Sequence, residues 1–256
     1  LAKKIKSEFG EASVITGTNV FAHIDDLNDF FTAADILLSD KGVIVIEAPY
    51  LITLLDNLEY DTIYHEHLSY ISLKPLNTFC KKIKMNVFDI EYNEIHGGSI
   101  RLFVGRDGIN EITKNVEKFL KLEQEKQIYN NERLKKFSDD VKKQRIELNT
   151  LLWKLKNDGK KIVGISAPAK GNALTNYCKI GIDLLDYVTE KNHLKIGKFT
   201  PGMHIPIVSE DKLLKDKPDY GLILAWNFAE EIIKNNKEFR DNGGKFIIPI
   251  PHPKIV

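Results

Sequence analysis

Apolar runs and amphipathic stretches alternate along the first part of the chain. Residues 12–15 are apolar and lead into small polar residues, which is typical of a buried parallel strand running into a ligand-side loop. Residues 25–42 place apolar side chains on one helical face, with an acidic first turn and Gly42 after the end. Residues 43–49 form a second apolar run, closed by Pro49. This order predicts a βαβ unit with a parallel sheet and a right-handed crossover.

The next stretches change the predicted sheet from parallel to mixed. Residues 73–84 have the pattern of a short helix, with Pro75 in its first turn. Residues 85–95 and 98–106 alternate apolar and polar positions around the turn "HGG", which predicts an antiparallel strand pair. A parallel sheet that ends in such a pair is a common mixed sheet.

The remaining chain predicts a helical stretch followed by a second sheet. Residues 112–158 are rich in Lys, Glu, Gln, Asn and Leu, with apolar residues every three or four positions, and Gly159 follows as a C-cap. This predicts a long helix or a helical pair. Beyond it, four further apolar stretches read as strands, separated by helical ones: 161–167, 184–190, 220–226 and 245–251. The predicted fold is therefore α/β, with two doubly wound regions, 1–110 and 160–256, and a helical connector, 111–159.

Composition and charge narrow the functional classes. The 37 basic and 36 acidic residues nearly balance, so the chain has no global field for a polyanion or an anionic membrane, and nucleic acid is not expected as a partner. No apolar run reaches membrane-spanning length, and we predict a cytoplasmic protein without membrane attachment. Cys80 and Cys178 are isolated and are expected to be buried small hydrophobes.

Three stretches directly follow predicted strands and are candidate ligand sites, because open α/β sheets bind ligands at the carboxyl ends of their strands. They read "TGTNVFAHI", "EAPY" and "SAPAKGN". The last opens a helix whose N-terminus, with Lys170 beside it, suits a phosphate. It matches neither a Walker loop nor a dinucleotide fingerprint, so a plain strand-to-helix turn is an equally good interpretation.

The densest chemistry lies in residues 59–70, "EYDTIYHEHLSY". A metal site could use His65 and His67 with His96 or His23, although an H-x-H pair alone is weak evidence. An acid/base site could use one histidine oriented by Glu66 or Asp61, with a tyrosine hydroxyl as donor. A polar buried loop is the third interpretation. The density of titratable groups favours the acid/base site.

Four ordered motifs resemble those of SAM-dependent sugar C-methyltransferases, which act on nucleotide-linked 4-keto deoxysugars. They read "YDTIYHEHLSYISL", "HGGSIR", "APAKGN" and "KIGKFTPGMHIPI". The resemblance runs from "GTNVFAHIDDL" almost to residue 256. It implies a three-part protein: a four-cysteine zinc module, a class I methyltransferase domain, and a C-terminal Rossmann-like domain that helps to hold the sugar nucleotide.

The resemblance also assigns roles to individual residues. His67 corresponds to the general base, and Tyr64 and Glu66 to partners that polarise the ketone and set the state of the base. His23 would lie beside the methyl donor, and the SAM pocket would be lined by Thr18, Asn19 and Val20. The sugar and its diphosphate would contact His96, Ser99, Arg101, Lys170, Asn172 and Lys195. No metal is expected in this chain, and His65 is expected to be structural.

The start of the chain departs from the family plan. The zinc-binding cysteines and the glycine-rich first strand-loop for SAM are absent, and Leu1 falls midway through the methyltransferase sheet. We therefore expect a truncated copy that acts as a monomer on a small-molecule substrate. Two alternatives stay open: a remnant that binds sugar nucleotides without catalysis, and a nicotinamide-dependent sugar reductase or epimerase. The second lacks a glycine fingerprint and a Tyr-x-x-x-Lys pair in a suitable place.

Overall fold

The computed structural model describes residues 1–94 and 97–256, which divide into two compact units. Unit 1 comprises Leu1–Asp56 and His65–Leu134, and unit 2 comprises Asn57–Tyr64 and Lys135–Val256. Residues 59–70 are called the motif-rich segment below. Its first part, up to Tyr64, belongs to unit 2, whereas the rest of it belongs to unit 1.

Unit 1 is built on a four-stranded mixed sheet in the order β1-β2-β4-β3. The β1/β2 pair is parallel, whereas β4 pairs antiparallel with both β2 and β3. The alternating pattern predicted the β3/β4 pair. Its elements are α1 (Ala2–Phe9), β1 (Ala12–Thr18), α2 (Leu27–Leu37), β2 (Leu38–Pro49), α3 (Leu51–Asp56), α4 (Leu73–Lys82), β3 (Met85–Asn93), β4 (Ser99–Arg106), α5 (Lys114–Glu125) and the start of α6 (Asn131–Asn157).

The prediction that residues 12–15 form a buried strand is wrong. Strand β1 forms as expected, but it is exposed or half-buried throughout, and Val14 is 57% exposed. The physical reason is position: within the described chain β1 pairs with β2 alone and so lies at the edge of the sheet. The buried strand is its neighbour β2, in which Ile44, Ile46 and Ala48 are fully buried.

A buried carboxylate organises the helices of unit 1. Glu123 of α5 is fully buried, and its oxygens accept the backbone N–H groups of Leu73 (2.5 Å) and Lys74 (3.0 Å) at the start of α4. The same carboxylate also accepts the hydroxyls of Tyr50 (3.1 Å) and Tyr129 (2.5 Å). The N-terminal amides of a helix have no intrahelical partner, so this side chain caps α4 from a distant position in the sequence.

Unit 2 contains a six-stranded sheet in the order β10-β9-β8-β5-β6-β7. All neighbouring pairs are parallel except β9/β10. Counted from β5, the order is 3-2-1-4-5-6, that of dinucleotide-binding Rossmann folds. Its elements are β5 (Ile162–Ile165), α7 (Ala169–Cys178), β6 (Val188–Glu190), β7 (Ile207–Ser209), α8 (Lys212–Asp216), β8 (Tyr220–Ile223), α9 (Ala229–Asn235), α10 (Lys237–Asp241), β9 (Lys245–Ile248) and β10 (Lys254–Ile255).

The core of unit 2 includes part of the motif-rich segment. Leu58 and Tyr60 pack in one apolar cluster with Leu148 and Leu152 of α6 and with Leu174 of α7. The predicted α/β class with Rossmann-like mixed sheets is confirmed. Strands β7 and β10 were missed, because three and two residues are too few to show a periodic pattern.

Candidate active site

In unit 1 the "HEH" residues lie against a short turn that follows β1. Residues Phe21–His23 form a 3-10 turn, and the Ala22 carbonyl accepts the N–H groups of Leu68 (2.8 Å) and Ser69 (3.2 Å). The Nδ1 atom of His23 lies 2.8 Å from the Glu66 carbonyl oxygen, and the His23 and His67 rings are 4.9 Å apart between centroids. The structure therefore brings together three residues that the sequence placed in two separate motifs.

This contact determines which nitrogen of His23 carries a proton. A carbonyl oxygen only accepts, so Nδ1 of His23 donates to Glu66 and Nε2 keeps its lone pair in the neutral ring. A histidine oriented in this way can hold a second ring in place or accept a proton. The imidazole of His67 thus has a neighbour of defined orientation.

The proposed SAM-side residues lie at the carboxyl end of β1. Asn19 adopts a left-handed backbone conformation (φ 54°), and its N–H donates to the Glu47 carbonyl at 2.9 Å. This bond turns the chain as the strand ends, which leaves the apolar Val20 side chain 55% exposed. An open turn at a strand end, with backbone and a small apolar side chain presented to solvent, fits contact with a nucleoside.

Arg101, a predicted substrate ligand, is held by the carboxylate of Glu47, the first residue of the candidate stretch "EAPY", which received no individual role from the sequence. Glu47 is 5% exposed, and its Oε2 atom accepts from Arg101 Nε (3.1 Å), Arg101 Nη2 (2.7 Å) and Asn93 Nδ2 (3.1 Å). The available signal was an acidic residue at the end of an apolar strand, in "VIEAP". Ser99 is fully buried at the start of β4, and His96 lies outside the described residues.

Gly98 occupies a backbone conformation and a space in which any side chain would be strained. Gly98 has φ 129°, and a Cβ atom there would lie 2.6 Å from Thr53 and 2.7 Å from the Tyr92 hydroxyl. Its carbonyl accepts the Tyr50 N–H (3.1 Å) and the Thr53 hydroxyl (2.9 Å). The Gly98 carbonyl is therefore held against the residues that follow β2.

In unit 2 the predicted phosphate loop lies between β5 and α7. Ser166 has φ 68°, a conformation that glycine supplies in most such loops. Lys195 Nζ donates to the Ala167 carbonyl (2.8 Å) and lies 3.4 Å from Glu190 Oε2, which in turn accepts the Ala167 N–H (3.2 Å). Two distant side chains thus shape the loop. Although burial opposes it, the backbone N–H groups of residues 191 and 192 keep the pKa of Glu190 below its usual value.

A cavity of about 320 Å³ opens at the carboxyl ends of β5, β6 and β8. Its lining includes Ser166, Glu190, Lys191 and Asn235. This is the place where Rossmann-like sheets bind nucleotides. Asn172, on the first turns of α7, is half-buried, and its carbonyl accepts the Asn176 side chain at 2.8 Å.

Lys170 and Tyr64 both belong to unit 2. Tyr64 is half-buried at the end of the piece that unit 2 takes from the motif-rich segment. The Lys170 ammonium lies 4.0 Å from Asp61 Oδ2 and 4.0 Å from the centroid of the Trp226 ring. Trp226 did not stand out in the sequence, because a single tryptophan in an apolar run carries no positional signal.

Two absences apply to the described residues. Within the described residues, 1–94 and 97–256, no three His, Cys, Asp or Glu side chains are grouped so that they could hold a metal ion. In the same part of the chain, no helix has both the length and the apolar character that crossing a bilayer requires.

Fold and sequence together define the class of protein. The sequence model described as "C-methyltransferase C-terminal domain" matches residues 94–251, and the chain belongs to this C-methyltransferase family. The resemblance inferred from the four motifs is thereby confirmed at the level of the family.

A comparison with one curated relative is more specific. The chain is 37% identical over 257 residues to the C-methyltransferase NovU of Streptomyces niveus. The match covers 100% of this chain and 61% of the relative. The chain thus spans less than two thirds of the length of that protein.

Proposed function

We propose that this chain carries the proton-transfer and sugar-nucleotide portions of a SAM-dependent C-methyltransferase acting on a nucleotide-linked 4-keto deoxysugar. The observation that supports it most strongly is the contact of His23 with His67 and with the Glu66 backbone, because it assembles acid/base groups from separate motifs. Family membership supports methyl transfer to carbon. The sugar substrate rests on the motif resemblance.

The chemistry requires a base and a hydrogen-bond donor. A C–H beside a ketone is a very weak acid, so its removal needs a base whose pKa lies near neutrality and a donor at the carbonyl oxygen. In the proposal His67 takes the proton, Tyr64 donates its hydroxyl to the oxygen of the resulting enolate, and Glu66 sets the charge state of the base. His23 orients His67.

SAM, when bound, supplies an electrophilic methyl group. The residues proposed to hold it are Thr18, Asn19, Val20 and His23, and the exposed turn after β1 fits that role. The enolate carbon would take this methyl group as the bond from the methyl carbon to the SAM sulfur breaks, with S-adenosylhomocysteine as the leaving group. His67 would keep the proton until solvent removes it. Excluding water from the reacting carbon favours alkylation over simple return of the proton.

The sugar nucleotide is proposed to contact Ser99, Arg101, Asn172 and Lys195. The Rossmann-like order of the second sheet and the cavity at its carboxyl edge support nucleotide binding there. A fold alone does not establish function, so the proposal of nucleotide binding also rests on the motif residues Asn172 and Lys195 near that edge.

Methyl transfer from SAM to a dTDP-4-keto deoxysugar tests the proposal directly. The full-length protein should increase the sugar by the mass of one methylene, and in D₂O the carbon beside the ketone should gain deuterium. Substitution His67→Asn should lower both rates by roughly 10² to 10⁴-fold, because it removes the base. Calorimetry should show SAM binding unchanged.

The matched control is His252→Asn, since His252 is an exposed histidine in unit 2. It should transfer methyl groups at the wild-type rate. Full activity of the His67→Asn variant would contradict the assigned base, and a wild-type protein that neither methylates nor exchanges would contradict the proposed reaction.

A second candidate function is binding of sugar nucleotides without catalysis. It is favoured by the independent core and cavity of unit 2. Calorimetry on residues 1–256 separates the two: binding of dTDP without SAM supports the binding role, whereas binding of both supports the methyltransferase.

A further inference from the structure

The Asp61 carboxylate is buried in unit 2 with an incomplete set of partners. It lies in the 3-10 turn Tyr60–Thr62 and is 0% exposed. Oδ2 accepts the indole N–H of Trp226 at 2.7 Å, whereas Oδ1 has no hydrogen-bond partner within residues 1–94 and 97–256. A buried carboxylate left partly unpaired destabilises the fold, so stability alone does not explain this arrangement.

Lys170 completes a three-way contact. Its Nζ atom lies 4.0 Å from Asp61 Oδ2 and 4.0 Å from the centre of the Trp226 ring, and its side chain is 15% exposed. Burial raises the pKa of Asp61 and lowers the pKa of Lys170, with the charge of each partner opposing both changes. Desolvation therefore offsets much of the attraction, and the main effect of the pair is to define geometry.

The residue beside Asp61 anchors the same turn. The Tyr60 hydroxyl donates to Gln144 Oε1 at 2.7 Å, and Gln144 Nε2 donates to the Pro249 carbonyl at 2.6 Å. The Tyr60 ring lies 5.2 Å from that of Tyr177, and its hydroxyl is 3.3 Å from the Cys178 sulfur. The turn is thus bound to two helices and a strand end of unit 2.

Tyr64 follows Asp61 by three residues in the chain, and His67 follows it by six. The turn is closed internally, because the Thr62 hydroxyl donates to the Glu59 carbonyl at 2.7 Å and the Ile63 N–H donates to the Tyr60 carbonyl at 3.0 Å. Any displacement of Asp61 is therefore carried along the backbone toward Tyr64.

We propose that Asp61, through its contacts with Trp226 and Lys170, is a positioning residue that sets the placement of Tyr64 and of the segment leading to His67. This inference rests on the proposed function and deepens it. It gives Lys170 a role through Asp61 instead of direct contact with the diphosphate, and the two roles have different kinetic signatures.

Substitution Asp61→Asn keeps the shape of the side chain and an acceptor for Trp226 but removes the charge beside Lys170. We expect kcat for methyl transfer, and the rate of deuterium entry at the sugar carbon, to fall about 100-fold, the effect of misplacing a reacting group by about 1 Å. The KM for the sugar nucleotide should stay within about threefold, because ground-state binding is retained. Lys170→Met should behave in the same way.

Fluorescence gives a readout independent of activity. In a Trp153→Phe background, Trp226 is the single tryptophan, because the chain has two. Its emission should shift in Asp61→Asn and in Lys170→Met. The matched control is Asp139→Asn, which removes an exposed carboxylate paired with Lys142 on α6 and should change neither emission nor kinetics.

The outcomes separate the inference from the proposed function. A wild-type protein without methyl transfer or exchange refutes the proposed function and the positioning role with it. If the wild type is active, either of two results overturns the inference. One is a raised KM at unchanged kcat in Lys170→Met, and the other is an Asp61→Asn variant with the kinetics and emission of Asp139→Asn. If circular dichroism shows that Asp61→Asn is unfolded, Trp226→Phe decides, since it removes the N–H donor and keeps the ring; it should lower kcat at near-constant KM.

Discussion

Glu59 gives unit 2 a stability that depends on pH. The side chain is 2% exposed, and burial raises its pKa from 4.5 to about 7, an effect opposed by the hydrogen bond from Asn57 and the charge of Lys170 and reinforced by Asp61. Since the folded state prefers the neutral acid, the contribution of Glu59 to the stability of unit 2 is most favourable below pH 4.5. This contribution is lost as the pH rises through about 7 and changes little above that.

The size of the effect follows from the two pKa values. Their difference of about 2.5 units corresponds to about 3 kcal/mol at 1.36 kcal/mol per unit. In Glu59→Gln the residue cannot ionise and can still accept from Asn57, whereas its new amide protons lose about 1 kcal/mol if they find no acceptor. The variant should therefore be more stable than wild type by about 2 kcal/mol at pH 8, and equal within about 1 kcal/mol at pH 5.

Urea unfolding from pH 5 to pH 8.5, followed by tryptophan fluorescence, measures this difference. Both tryptophans, Trp153 and Trp226, belong to unit 2, so the signal reports that unit. Titrating groups that do not interact with Glu59 act equally in both proteins and cancel. Glu230→Gln, at an exposed position in the first turn of α9, is the control and should show no such gain. An equal loss of stability in wild type and Glu59→Gln between pH 5 and pH 8 would refute the assignment to Glu59.

Two further predictions concern the buried carboxylate Glu123 and the closely packed glycine Gly202. Glu123→Ala should destabilise unit 1 by about 3 kcal/mol or more, because it leaves buried N–H and O–H donors without an acceptor. Hydrogen exchange at the first amides of α4 measures this loss. The control is Glu125→Ala, at a side chain that is 61% exposed, which should not change those exchange rates. Gly202→Ala should destabilise unit 2, since φ is 79° and the new Cβ would lie 1.9 Å from Asn176 Oδ1. Gly197→Ala, with φ 83° and open space, isolates the backbone strain of about 1 kcal/mol, and equal losses in the two variants would contradict the steric contribution.

Patterns that repeat within one element were predictable from the sequence. The period of apolar residues identified the antiparallel pair β3 and β4 and the helices between residues 112 and 158, because each residue there faces the core at a regular interval. Burial was less predictable. Residues 12–15 are as apolar as a central strand, yet the position of β1 at an edge leaves them exposed, and position depends on which strands pair.

The candidate site likewise has a part that could be predicted from the sequence and a part that could not. The motifs made His23, Tyr64, Glu66 and His67 the candidate residues, since unusual residues in a fixed order carry information without a structure. The motifs did not show that Glu47 holds Arg101, which is 54 positions away. Residue type alone could not indicate this partner, because an acidic residue at a strand end is compatible with many roles.

By itself, the sequence determined the α/β class, most of the helices and strands, and membership of the C-methyltransferase family. Only the tertiary structure decided that residues 57–64 belong to the second unit and that Asp61 meets Lys170 and Trp226. The physical reason is range. Periodicity and local motifs record interactions between near neighbours in the chain, whereas the environment of a buried charge is set by side chains that folding brings from 109 and 165 positions away.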